Sequence, residues 1–223
     1  VEPPVSIRVV QGDLAFARYP VAVGHYVGDP IMSAERALNN AVDGELERRH
    51  VLGIYPGPLG TCAIFPNPRL RTLQSAEPAA AVVMGLGQAG ELTGAGLRST
   101  FTRALLEYAL GHAAAIPERA TENATMLGIC ALLVGTAAGG IGVAESVNAL
   151  VKGVLQANTV LAEKNQPERF TRLEIIEIYE DQAILAVRAL RRLGGDSSIS
   201  GKLDLSEADT LQAERGGDRK SVV

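Results

Sequence analysis

The sequence predicts an α/β fold in which a mixed, mostly parallel sheet lies between layers of helices. Short apolar runs of β character alternate with longer stretches of helical periodicity up to about residue 195, which is how strands and their covering helices follow one another in an open sheet. The apolar residues, 47% of the chain, are drawn mainly from Val, Leu, Ile and Ala, with aromatics at 4% and no Trp. That palette suits strands buried on both faces. The third observation is a glycine-rich stretch, Gly135-Thr136-Ala137-Ala138-Gly139-Gly140-Ile141-Gly142-Val143-Ala144-Glu145-Ser146, at the exit of the most apolar run and the mouth of a long helical pattern.

The elements follow in order. Val5 to Val10 alternates apolar and polar, and Val21 to Tyr26 resumes a β pattern after Pro20, which predicts the first two strands. From Ser33, a good N-cap, Ala34, Leu38, Ala41, Val42 and Leu46 form one apolar stripe, with Glu35, Arg36, Asn39, Asn40 and Asp43 assigned to the opposite, polar face. Tyr55-Pro56-Gly57-Pro58-Leu59-Gly60 reads as a rigid connector, Thr61 to Phe65 as a strand stopped by Pro66-Asn67-Pro68, and Ala79 to Leu86 as a fully apolar strand. A helix is expected from about Thr93, carrying Leu97, Phe101, Ala104, Leu105 and Tyr108.

Met126 to Val134 is the most hydrophobic run and is therefore placed at the centre of the sheet. A helix with Val147, Leu150, Val151, Val154 and Leu161 is expected to run to about Lys164; Leu173 to Tyr179 alternates as a last strand, and a final helix ends at Gly194-Gly195. These elements make one domain over residues 1–195. Beyond it the composition turns to Ser, Asp, Gly and charged residues with scattered Leu203, Leu205 and Leu211, which reads as a polar linker or docked tail over 196–223.

The chain carries 21 basic and 25 acidic side chains, a net charge of -4. No basic surface is available to hold a phosphate backbone, so nucleic acid is not an expected partner. No stretch reaches the roughly 18 to 20 apolar residues of a membrane span, and Val1-Glu2-Pro3-Pro4 is not a signal peptide. Cys62 and Cys130 both lie in strand-like runs and read as free core thiols of a reducing compartment, so a cytoplasmic location is expected. With no initiator Met, the chain is read as one module of a longer protein, with neighbouring domains among its partners.

Glycines at a strand exit allow backbone amides to approach an anion, and they equally allow a strand and helix to pack closely. No Gly-Lys-Ser/Thr follows, so the stretch is not a P-loop, and its spacing is not the dinucleotide fingerprint. Asp13, next to Gly12, reads on its own as a turn residue bonded to its own backbone. His25 stands at a strand end beside Tyr26 and Asp29, where it is a general-base candidate or a histidine satisfied by a neighbouring carboxylate; the second reading is preferred because no nucleophile is placed beside it. Glu145 and Ser146 sit in a first helical turn, where either favours helix initiation. No catalytic set, metal set or cofactor is assigned.

The order strand, Gln11-Gly12-Asp13-Leu14, strand Val21 to Tyr26, covering helix and later glycine-rich loop resembles a macro domain over most of residues 5 to 193. The resemblance implies a macro-like three-layer sandwich and a nucleotide or ADP-ribose ligand. It places Asp13 at the adenine and the loop at Gly135, Gly139, Gly140, Ile141 and Gly142 around the diphosphate. Val23-Gly24-His25-Tyr26-Val27-Gly28-Asp29-Pro30 stands where the family has its Asn-x-x-Asn segment and first phosphate loop, which adds Gly24, His25 and Gly28 to the ligand-binding candidates; the ribose-contacting Asn itself is absent.

Val83-Met84-Gly85-Leu86-Gly87-Gln88 with Glu91-Leu92-Thr93 and Leu97-Arg98 is also similar to the amino-terminal, non-catalytic domain of leucyl aminopeptidases. The combination of Phe16 to Val21, Gly24 to Asp29 and Leu52 to Pro58 is similar to a region of bacterial multidomain proteins that carry a CHAT protease domain. Three functions remain open: a non-catalytic ligand-sensing or docking module of a larger bacterial protein, a structural module that forms homo-oligomers or domain contacts without a ligand, and a hydrolase of ADP-ribosyl or peptidase type.

Overall fold

The computed structural model describes residues 3–14, 17, 19–68, 78–115, 125–136, 140–208 and 212–213. Its strands are β1 (Val5–Gln11), β2 (Val21–His25), β3 (Cys62–Pro66), β4 (Ala80–Gly85), β5 (Thr125–Leu132), β6 (Glu168–Glu177), β7 (Leu203–Asp204) and β8 (Gln212–Ala213). The helices are α1 (Ser33–Ala41), α2 (Glu45–Val51), α3 (Gly94–Ala115), α4 (Val143–Glu163) and α5 (Glu180–Gly194). The strands form one sheet in the order β3-β4-β2-β5-β6-β1-β7, with β8 also on β1. Only the β3–β4 pair is antiparallel among the described ladders. β5 lies in the middle of the sheet, as its hydrophobicity requires.

Alternation along each strand sorts the core into two clusters. Val5, Ile7 and Val9 of β1, Ala22 of β2, Leu127, Ile129 and Ala131 of β5 and Leu173 and Ile175 of β6 pack against Leu97 and Phe101 of α3, Leu150 and Val154 of α4 and Leu190 of α5. The opposite face, with Val10, Val21, Val23, Cys130 and Ile176, packs against Leu38 of α1 and Leu46 of α2. Three layers result, helices on both faces of a mostly parallel sheet. This is the three-layer sandwich that the resemblance implied.

Two local expectations are corrected. The single apolar stripe from Ala34 to Leu46 is not one helix: Asp43 at φ 54° and Gly44 at φ 79° take the left-handed conformation, so the chain breaks into α1 and α2. Ser33 does not cap α1, because it lies inside the first turn at φ 47° and Met32 occupies the cap position without a side-chain bond. Thr93 does act as expected, its hydroxyl accepting from the Gly96 amide at 3.1 Å.

One ion pair is buried within the sheet. Arg8 on β1 and Glu174 on β6 are register partners, 6% and 3% exposed, and Arg8 Nε donates to Glu174 Oε1 at 2.9 Å. The Cys130 thiol on β5 lies 3.7 Å from Glu174 Oε2, and Glu207, following β7, brings a second carboxylate to 3.9 Å from Arg8. Beyond Gly195 the described chain returns to the sheet, β7 pairing with Val5 and Ser6 and β8 with Val10 and Gln11.

Candidate functional site

The carboxyl ends of β1, β6 and β5 open into a cleft of about 830 Å³, the position where ligands enter open α/β sheets. Gly12, Asp13 and Leu14 line it from the exit of β1, Ile176 to Tyr179 from the exit of β6, and Leu132, Leu133 and Thr136 from the exit of β5. Ser33, Ala34 and Ala37 of α1 and Asp181 and Gln182 of α5 complete the walls. The first turns of two helices therefore face the cleft, and each brings the positive end of its dipole.

Short-range bonds hold these walls. The Gly12 amide donates to the Glu177 carbonyl at 3.1 Å, tying the β1 exit to that of β6. Glu177 Oε1 accepts from the Tyr179 amide at 2.9 Å, and Thr136 Oγ1 donates to the Leu133 carbonyl at 3.1 Å. Ser146, fully buried, donates to the Val134 carbonyl at 2.9 Å and so fastens α4 to the end of β5, a tertiary role beyond helix initiation. Glu145 Oε1 accepts from the Gly94 amide at 2.8 Å and caps α3, the neighbouring helix.

The chemistry of the lining is asymmetric. At the β1–β6–α5 end stand the carboxylates Asp13, Glu177 and Asp181 with the exposed side chains of Ile178 and Tyr179, while at the β5 end stands Thr136. No Lys or Arg occurs among the described lining residues. Among the described residues no group of three or more His, Cys, Asp or Glu is placed to hold a metal ion, and no helix is long and apolar enough to cross a membrane.

Of the residues nominated from sequence, Asp13 lies in the cleft. Gly135, at φ 82°, precedes Thr136, and a side chain there would meet Leu92 and Ile141 within 3 Å. Ile141 is core, 5% exposed, Gly142 is the cap residue of α4, and Gly140 sits at φ 78° with open space around its Cβ position. Gly139 lies outside the described residues. Gly28 forms a turn at φ 87°, where the Asp29 amide donates to the Tyr26 carbonyl at 3.2 Å. Neither Gly24 nor His25 lines the cleft.

His25 faces α1, with Nδ1 3.0 Å from Glu35 Oε1 and 3.2 Å from Oε2. Its carboxylate partner is thus Glu35, which the helical stripe had assigned to the solvent face and which the structure buries to 9% exposure. The Tyr55 hydroxyl donates to the same carboxylate at 2.7 Å, and the rings of Tyr55 and His50 pack edge-on against His25 at 4.8 and 5.5 Å. Burial, and then the charge of Glu35, hold the Tyr55 phenol well above its usual range. Asn39, also placed on the polar face from sequence, is 7% exposed and its Oδ1 accepts from the Glu47 amide at 3.1 Å, bracing α2.

Sequence reasoning missed Ser33, Ala34 and Ala37 and the whole β6–α5 rim as cleft residues. The signal for the rim was present: the last strand pattern ended at Tyr179, and a strand's carboxyl end is where a ligand is expected.

Comparison with solved structures places the fold. The chain has the architecture of a macro domain, an α/β sandwich with helices on both faces of a mixed, mostly parallel sheet. A macrodomain from Trypanosoma brucei in complex with ADP superposes with a TM-score of 0.54 at 14% identity, over 85% of this chain and 78% of that one. The Oceanobacillus iheyensis macrodomain with ADP gives 0.53 at 14% identity, over 82% and 90%, and a variant of it with ADPR gives 0.52 at 14% identity, over 84% and 93%. No protein-family model and no curated protein matches the sequence.

Proposed function

We propose that this chain is a nucleotide-binding module of macro-domain type whose ligand lies in the cleft with its base at the acidic end and its phosphates at the β5 end. The observation that carries the reading is the polarity of the cleft. Asp13, Glu177 and Asp181 accept hydrogen bonds and suit the exocyclic amine of a base, and the same carboxylates repel phosphate. The Tyr179 ring, 68% exposed at the rim, offers a face for stacking. Phosphates are directed instead to Thr136 and the glycine loop that runs into α4. The macrodomain structures determined with ADP and ADPR support this ligand class, and the lining supports binding with no assigned chemistry.

Calorimetric titration with ADP tests the reading: saturable heat is expected, weakened at least about tenfold by Asp13→Ala, and retention of full affinity in that variant would remove the base from this end. A second reading has its own observation. Ile178 and Tyr179, 62% and 68% exposed, form an apolar lip at the cleft mouth, a feature that also suits docking of a neighbouring domain or a second copy of the chain. Sedimentation of Ile178→Asp against the unchanged protein separates the two: loss of self-association with nucleotide binding intact assigns the lip to docking.

A further inference from the structure

We infer that the cleft takes a nucleotide that ends at its phosphates and has no seat for a second sugar beyond them. This rests on the nucleotide reading and concerns how far along the sheet the ligand extends. The cleft runs across the ends of β1, β6 and β5, and no described residue of β2 or β4 lines it. The β2–β5 ladder consists of Val21–Cys130 and Ala22–Ala131, and Val23 to His25 at the end of β2 run on beyond it, so β2 parts from β5 there. That gap is where a ligand crossing the β5 end would continue.

The gap is filled from within. A Cβ built on Gly24 would lie 2.4 Å from Leu86 Cδ1 and 2.8 Å from Val134 Cγ1, so these two side chains meet over the glycine in the space a side chain would take. Leu86 is 2% exposed, Val134 4% and Tyr26 8%, all three in the same core cluster. The far wall is zipped shut: the Leu86 amide donates to the His25 carbonyl and the Val27 amide to the Gly87 carbonyl, both at 2.9 Å, extending the β2–β4 pairing past the strand ends. The Gly87 amide donates to the Gly57 carbonyl at 2.9 Å, and the Gly85 amide to the Thr61 carbonyl at 2.8 Å, so the connector after α2 is bonded across the end of β4.

Atoms packed to this density move aside for a polar sugar only at the cost of lost contacts and unpaired hydroxyls. The terminal ribose of ADP-ribose is accordingly left in solvent. The glycine at position 24 thereby serves the apolar plug instead of a ligand.

The test is a parallel titration of the protein with AMP, ADP and ADP-ribose, with amide chemical shifts of Gly24, Leu86 and Gly87 followed in the same samples. ADP binding as tightly as ADP-ribose, to within about threefold, or tighter, is the expected result, with the three amides unmoved when ADP-ribose replaces ADP. ADP-ribose tighter by more than that margin, or a shift of those amides specific to it, overturns the inference and leaves the nucleotide reading standing. Absence of binding by all three ligands overturns both. In Leu86→Ala, and independently in Val134→Ala in case the first does not fold, the ratio should move toward ADP-ribose. An unchanged ratio in a folded variant counts against the plug.

Discussion

Replacing Glu174 by Gln tests the ion pair that the sheet encloses. The substitution keeps the side chain's shape and removes its charge, so Arg8 is left as a buried cation 6% exposed. Breaking one half of a buried pair costs about 3–5 kcal/mol, most of it the penalty on the charge left behind. Here the value should fall toward the lower end, about 3 kcal/mol, because Glu207 already stands 3.9 Å from Arg8 with 43% side-chain exposure and shares the charge. For a chain of this size that corresponds to a fall in melting temperature of roughly 6–12 °C. Urea denaturation measures it: the midpoint should drop with the slope unchanged. The companion variant Arg8→Met with Glu174→Leu removes both charges and should return to within about 1.5 kcal/mol of the original, since apolar replacement of a whole pair is often neutral or stabilising. A loss below about 1 kcal/mol in Glu174→Gln would refute the reasoning. So would a double variant no better than the single one.

Two further outcomes follow from side-chain geometry. Gly24→Ala forces a methyl against Leu86 and Val134 and should cost about 1–3 kcal/mol in the same urea assay, although the backbone there is not in the left-handed region. The Cys62 thiol is pushed up to about 12 by burial first and by Glu107 second; since only the thiolate reacts, its alkylation by iodoacetamide at pH 8 should be slower than that of a free thiol by roughly a hundredfold or more, rising with pH up to about 12, as read by mass spectrometry.

The parts of this fold legible in the sequence are those governed by local periodicity. β5 was identifiable as central because a strand covered on both faces loses its polar alternation, and α3 from Leu97 to Tyr108 because its stripe is long. The break between α1 and α2 was hidden, since Asp43-Gly44 sits inside a stripe that continues on both sides of it and only the backbone conformation divides them. Glu35 looked like a surface residue because the groups that justify its burial, His25 and Tyr55, are 10 and 20 positions away. The cleft shows the same division. Asp13 and the glycine loop carry local signals of turn and strand exit, whereas Ala34, Ala37 and Gln182 are ordinary helix residues whose part in the lining depends on how α1 and α5 dock on the sheet.

The short strands that follow Gly195 have a consequence for how the protein behaves outside its native context. β1 lies next to β6 on one side, and on the other its N–H and C=O groups meet β7 near one end and β8 near the other. A chain trimmed at Gly195 keeps both core clusters largely intact yet turns β1, seven residues long, into a bare strand margin able to template another copy. The short β7 and β8 strands are thus a guard against intermolecular pairing, and the turn after β7 is secured to the sheet in part through the carboxylate of Glu207 on Arg8.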